Sequence, residues 1–143
     1  MPLMSIDIRP AVAADSPSVF ALAKDFAASF APAADQFARS FDHLLAADGV
    51  LVLVADEGGE TLGYLLAFDH LALWANGRVA WVEEITVRAD RRRQGIGRRL
   101  MREFENWARL RGSRVAALAT RRAADFYAAL GYDASATYFR KIL

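Results

Sequence analysis

A chain of 143 residues and 15.7 kDa has the size of one compact domain, and its 55% hydrophobic and 24% charged residues supply enough apolar material to exclude global disorder. The absence of cysteine removes disulfides, thiolate nucleophiles, thiolate zinc sites and iron–sulfur clusters together, leaving His43 and His70 as a thin basis for any metal. The net charge of +1 conceals a division: residues 1–80 hold four Lys and Arg against ten Asp and Glu, whereas residues 81–143 hold fourteen against seven.

The elements follow in chain order. The opening MPLMSIDIRP lacks a basic leader with a long apolar segment, so no export signal is expected and cytoplasmic residence is the default. SIDIRP alternates and ends in proline, as a short strand does. Ser16 and Pro17 read as the N-cap and first position of a helix carrying Val19, Phe20, Ala23, Phe26, Ala27 and Phe30. Phe37, Phe41, Leu44 and Leu45 predict a second helix, closed by the turn Asp48-Gly49. The phenylalanines Phe20, Phe26, Phe30, Phe37 and Phe41 have helical spacing and are expected in the core.

VLVLVA over 50–55 has the continuous apolar character of a strand buried on both faces, and DEGGE turns it into a second run, Leu62 to about Phe68. The richest apolar run, YLLAFDHLALWA, is broken by Asp69 and His70 and falls short of a membrane span, which takes about 20 residues. A turn at 75–78 precedes VAWVEEITV, a third strand. Leu100, Met101, Phe104, Trp107, Ala108 and Leu110 then place one apolar stripe on a helix ending near Gly112. Val115–Ala119 reads as another strand and Arg121–Leu130 as a short helix stopped by Gly131. The tail from Tyr132 to Leu143 is expected to add one or two strands. The order β-α-α-β-β-β-α-β-α-β(β) is mixed α/β, an α+β type of mixed sheet with an antiparallel first part and one strand–helix–strand crossover.

The sharpest local signal is RRRQGIGRRL, between the third of these neighbouring strands and the amphipathic helix. Seven arginines lie between Arg88 and Arg102, a field suited to a polyanion. Gly95 and Gly97 let a bulky anion approach the main chain, and the unpaired amides and positive dipole end of the next helix would hold phosphate. A P-loop is excluded because no Lys-Ser or Lys-Thr occurs, and a dinucleotide fingerprint because position 100 is leucine.

The segment Arg92-Arg93-Gln94-Gly95-Ile96-Gly97, after a strand ending at Val87 and before Leu100 and Met101, resembles the acyl-coenzyme-A loop of the GNAT superfamily of N-acyltransferases. Downstream, AADFYAALGY resembles that family's second signature, a tyrosine four residues before a helix-ending glycine and an aromatic. The two signatures cover about residues 81–132, and the resemblance implies one GNAT-type domain over 1–143. It also implies a central sheet splayed between the fourth and fifth strands, with the pantetheine arm of acetyl-coenzyme A in the gap.

By position, the resemblance puts the pantetheine on the main chain of Ile85 and Val87. It puts the pyrophosphate on the amides from Arg93 through Gln94, Gly95, Ile96 and Gly97 to Arg98, with arginine side chains such as Arg92 adding charge. Tyr127 would contact the cofactor and be the general acid for the departing thiolate. Where many family members carry an asparagine contacting the cofactor, this chain has Thr120, which implies a weakened contact. No metal is expected.

Acyl transfer needs a base as well as an acid. Glu83 and Glu84 are adjacent carboxylates in an otherwise apolar strand, and alternation sends them to opposite faces. Glu83 is preferred by its offset of four residues before Val87, as in several family members. His70 and Trp74 lie in the loop-prone stretch before that strand, near where the family builds acceptor pockets; His43 reads as structural or exposed. The acidic first half favours a cationic acceptor, a small-molecule or peptide amine, with no nucleic acid and no membrane as partner and a homodimer compatible. The alternatives are a non-catalytic coenzyme-A-binding regulatory module and a nucleic-acid-binding domain using Arg88–Arg102.

Overall fold

The computed structural model describes residues 5–27 and 30–143. The absence of an export signal, read in part from residues 1–4, falls partly outside that range. Strand β1 (Asp7–Pro10) leads through a 3₁₀ turn into helices α1 (Ser16–Phe26) and α2 (Ala34–Ala46). Strands β2 (Val50–Glu57), β3 (Glu60–Ala72) and β4 (Gly77–Val87) follow, then α3 (Ile96–Leu110), β5 (Ser113–Leu118) and α4 (Ala124–Ala129). Among the described residues no helix is long and apolar enough to cross a membrane.

The strands lie in sequence order in one five-stranded sheet, antiparallel from β1 to β4 and parallel between β4 and β5. Parallel pairing requires a crossover, and α3 supplies it. The mixed α/β architecture expected from the sequence is therefore present. Strand alternation divides the core between two faces. On one face Leu51, Leu53, Leu65, Ala67, Ala80 and Val82 pack against Ile96, Leu100, Met101, Phe104 and Ala108 of α3. On the other, Val52, Val54, Tyr64 and Leu66 pack against Val19, Leu22 and Ala23 of α1 and Phe41 of α2.

Several details depart from the sequence expectations. Asp15, not Ser16, is the N-cap of α1. Its carboxylate is occupied elsewhere: it accepts from the Val12 amide at 2.8 Å and forms a bidentate pair with Arg9 at 2.8 and 2.9 Å, and that hydrogen bonding holds it below the usual carboxylate range. Phe26 and Phe30 are exposed rather than core, because α1 ends at Phe26, and Leu110 at the end of α3 is exposed as well. The largest difference is at the end of the chain. Residues 133–143 form no strand and are exposed, so β5 is an edge strand. A strand is completed by a hydrogen-bonded neighbour, and the apolar residues of the tail find none.

At one end of the sheet sits a polar cluster that sequence patterning had registered only as an interruption. The Asp69 carboxylate, fully withdrawn from solvent, accepts from Arg78 Nη1 at 3.2 Å and from both Nε and Nη2 of Arg111. Arg111 reaches Asp48 at 3.3 Å and lies 5.4 Å from the Trp107 ring centroid. Gly49 completes the cluster: its φ is +73°, and a Cβ there would stand 2.7 Å from Asp69 Oδ1.

Candidate active site

The site begins where β4 loses a neighbour. β4 pairs with β3 as far as Val87, but with β5 only through Val82, opposite Leu118. Residues 83–87 therefore carry an edge free of β5, which is the splay between the fourth and fifth strands. A β-bulge lies at the same point: Ala67 faces Val82 while Leu66 faces Glu84, so Glu83 is the inserted residue. Bulges raise the local twist and re-aim side chains, which turns β4 away from β5.

That insertion also corrects the expectation that Glu83 and Glu84 occupy opposite faces. Trp81, on the α1/α2 face beside Phe68, donates its indole N–H to Glu83 Oε2 at 3.0 Å. Glu84 Oε1 accepts from the Tyr64 hydroxyl at 2.7 Å, and Tyr64 belongs to the α1/α2 core. One extra residue cancels the alternation, and both carboxylates lie on the side opposite α3. They differ in burial: Glu83 is exposed, Glu84 half-buried. Burial pushes the Tyr64 hydroxyl well above the usual tyrosine range, and the neighbouring Glu84 charge adds to it, so Tyr64 remains a donor. Glu84 also lines a cavity of about 130 Å³ between α2 and the sheet, bounded by Phe37, Ser40, Phe41, Leu44, Val52 and Leu66.

Beyond Val87 the chain makes a 3₁₀ turn at Ala89–Arg91 and enters α3 through Gly95, whose φ of +82° favours glycine. The first closed amide of that entry is Arg99 N–H, donating to Gly95 O at 3.1 Å, and no side chain caps the helix. The amides ahead of it are left open at the positive end of the helix dipole. Ile96, buried to 1%, anchors the turn in the core, whereas a Cβ on Gly95 would meet nothing within 4 Å. At Gly97 the reason for glycine differs: Phe126 Cζ lies 3.3 Å from where a Cβ would stand, so α4 approaches the loop closely.

The arginines separate into two groups. Arg91 forms a bidentate pair with Glu57 at 2.8 and 3.1 Å and donates to Gln94 Oε1; Arg88 pairs with Asp90 at 2.7 Å and reaches Glu60 at 3.6 Å. Arg92 Nε donates to Val87 O at 3.2 Å. Among the described residues, Arg93, Arg98, Arg99 and Arg102 have no acidic partner and keep their charge available. Arg93 holds φ +62°, a strained value for a residue with a Cβ.

Tyr127, on α4, is 8% exposed and belongs to the α3-side core, against which Ile85, Val87 and Tyr132 also pack. Its ring meets Phe126 and Tyr132 edge-on at 5.0 and 6.0 Å, and burial pushes its hydroxyl above the ordinary tyrosine range. Thr120 Oγ1 accepts from the Ala123 amide at 3.1 Å, so this hydroxyl sets the turn into α4. His70, Trp74 and His43 are exposed; His70 faces Val79 and lies roughly 13 Å along β4 from Glu83, away from the splay. Tyr64 is the wall residue that sequence reasoning misses, whereas Phe37, Phe41 and Leu44 of α2 are legible as one helix face. A lone tyrosine in the apolar run of β3 was the available signal.

The family model described as acetyltransferase (GNAT) matches residues 17–132. No curated protein matches the chain. Among solved structures, the chain is similar to a transcriptional regulator from Bacillus halodurans C-125, with 24% identity, TM-score 0.88, and 97% of this chain and 100% of that chain covered. It is also similar to glucosamine-6-phosphate N-acetyltransferase from Arabidopsis thaliana, with 16% identity, TM-score 0.86, and 96% and 98% covered. The aminoglycoside N-acetyltransferase AAC(6')-Iy, solved in complex with CoA, aligns at 21% identity and TM-score 0.85, with 98% and 97% covered. These likenesses establish the shared fold.

Proposed function

The chain belongs to the acetyltransferase (GNAT) family, and from that premise we propose that it transfers an acetyl group from acetyl-coenzyme A directly to a primary amine of a small molecule or peptide. One arrangement carries the reading: the free edge of β4 leads through the turn at 88–95 to an uncapped helix N-terminus with open space at Gly95, and Tyr127 of α4 is buried in the same core. The open amides from Arg93 to Arg98 and the unpaired charges of Arg93 and Arg98 would take the pyrophosphate, and the main chain of Ile85 and Val87 the pantetheine arm. Thr120 retains a hydroxyl proton to offer. Acetyl-coenzyme A, when bound, supplies the activated acyl group; the amine nitrogen forms the new C–N bond as the C–S bond breaks.

In this reading Tyr127 protonates the departing sulfur. A hydroxyl raised by burial stays protonated throughout the neutral range, which suits an acid. A carboxylate on β4 takes the proton of the incoming ammonium. Glu83 is favoured by its spacing from Val87, but Glu84 has the better support, being half-buried, held by Tyr64 and turned into the cavity. Glu84→Gln is expected to lower kcat/KM by about 10²-fold, with Glu83→Gln changing it less than about threefold. Steady-state kcat/KM of both variants at neutral pH checks this, and the reverse ranking would return the role to Glu83.

The cofactor assignment has its own test. Gly95→Val places a branched side chain in the open space over the amides and should weaken coenzyme-A binding by about 10²-fold in calorimetry, with some loss of stability from the positive φ. Gly95→Asn fills the same space with a residue that tolerates this backbone conformation, so it should weaken binding with little loss of stability. Unchanged affinity in both would remove the loop from the site. Binding without thiol release across amines would instead favour a regulatory module.

A further inference from the structure

Resting on the acetyltransferase reading, the acceptor's chemistry can be narrowed from the cavity that Glu84 lines. Its walls are apolar, built from Phe41 and Leu44 of α2, Val52 of β2 and Leu66 of β3, and its one ionisable wall group besides the Tyr64 hydroxyl is Glu84. Oε1 of that carboxylate is held by Tyr64, which leaves Oε2 with no partner among the described residues. The volume of about 130 Å³ matches about four waters at liquid density and is close to the roughly 150 Å³ that accepts a benzene-sized ring. The acidic residues of the first half do not enter the walls: Asp35, Asp42 and Asp48 are exposed, and Asp69 is consumed by Arg78 and Arg111.

We propose that the acceptor is a monoamine with an apolar body, an aryl-alkyl or alkyl amine, its nitrogen at Glu84 and its body between α2 and the sheet. The charge count decides against polycations. One ammonium finds one carboxylate, whereas a second cation held inside the cavity would face an apolar wall with no countercharge. The cationic acceptor expected from the charge of residues 1–80 is thereby narrowed to a single ammonium, because those carboxylates either face solvent or are paired with arginines.

The experiment compares 2-phenylethylamine and hexylamine with spermidine, an aminoglycoside and a lysine peptide as acceptors for acetyl-coenzyme A. The two apolar monoamines are expected to show at least tenfold higher kcat/KM. Leu44→Trp, which fills the cavity from α2, should raise their KM tenfold or more with coenzyme-A affinity and thermal unfolding unchanged; Ser40→Phe at the exposed mouth serves the same purpose if Leu44→Trp does not fold. Calorimetry of 2-phenylethylamine with the coenzyme-A-loaded protein gives a readout independent of turnover, and binding lost in Leu44→Trp supports the proposal. Faster transfer to the polycations, or a KM untouched by both filling variants, overturns the apolar-acceptor assignment while leaving the enzyme reading standing. Absence of coenzyme-A binding by the wild-type chain overturns that reading and this one with it.

Discussion

Tyr127→Phe is expected to reduce kcat by about 10²- to 10⁴-fold while changing coenzyme-A affinity by less than about twofold. The substitution removes one oxygen and keeps the ring, and the ring is what the fold uses: it meets Phe126 and Tyr132 edge-on within the α3-side core. Stability should therefore change little, which separates loss of an acid from loss of packing. Because burial raises this hydroxyl, an alkaline limb that depends on it should begin above the ordinary tyrosine range rather than below it. Stopped-flow thiol release against pH reads both quantities. A variant retaining more than a tenth of wild-type kcat would make Tyr127 a packing residue and send the proton elsewhere.

Asp69→Ala is expected to cost about 3–5 kcal/mol of folding stability. The carboxylate is wholly buried and accepts from two arginines, so its removal leaves the Arg78 and Arg111 guanidiniums beside an empty, partly desolvated space. Against a total of about 5–15 kcal/mol for a chain of this size, the loss is a large share. Asp69→Asn keeps the volume and part of the hydrogen bonding and should cost less, which secures a measurement if the alanine variant does not fold. Urea denaturation at neutral pH gives both values. A loss below about 1 kcal/mol for alanine would mean that solvent reaches the arginines freely enough to replace the carboxylate.

The difference between these two sites also marks what could be read from sequence. The loop from Arg92 to Gly97 and the helix behind it were legible because every determinant is local: two glycines, a strand before, an amphipathic stripe after. The Asp69 cluster was not legible, since its partners stand at positions 78 and 111 and only the sheet brings them together. The opposed faces assigned to Glu83 and Glu84 failed for a related reason. Alternation assumes an unbroken ladder, and nothing local to VEEITV reveals that Leu66 and Ala67 of β3 will straddle an extra residue. The tail shows the converse: ATYFRKIL has strand-like composition, but strand formation depends on a neighbour that composition does not specify.

The pairing of Arg91 with Glu57 and of Arg88 with Glu60 and Asp90 has a kinetic consequence. The Arg91–Glu57 and Arg88–Glu60 pairs tie the turn before α3 to the tip of the β2–β3 hairpin, while Arg88–Asp90 closes within the turn itself. If the amides at the start of α3 hold the pyrophosphate as proposed, a turn tied in this way would be largely formed before the anion arrives, and capture should then respond chiefly to ionic strength.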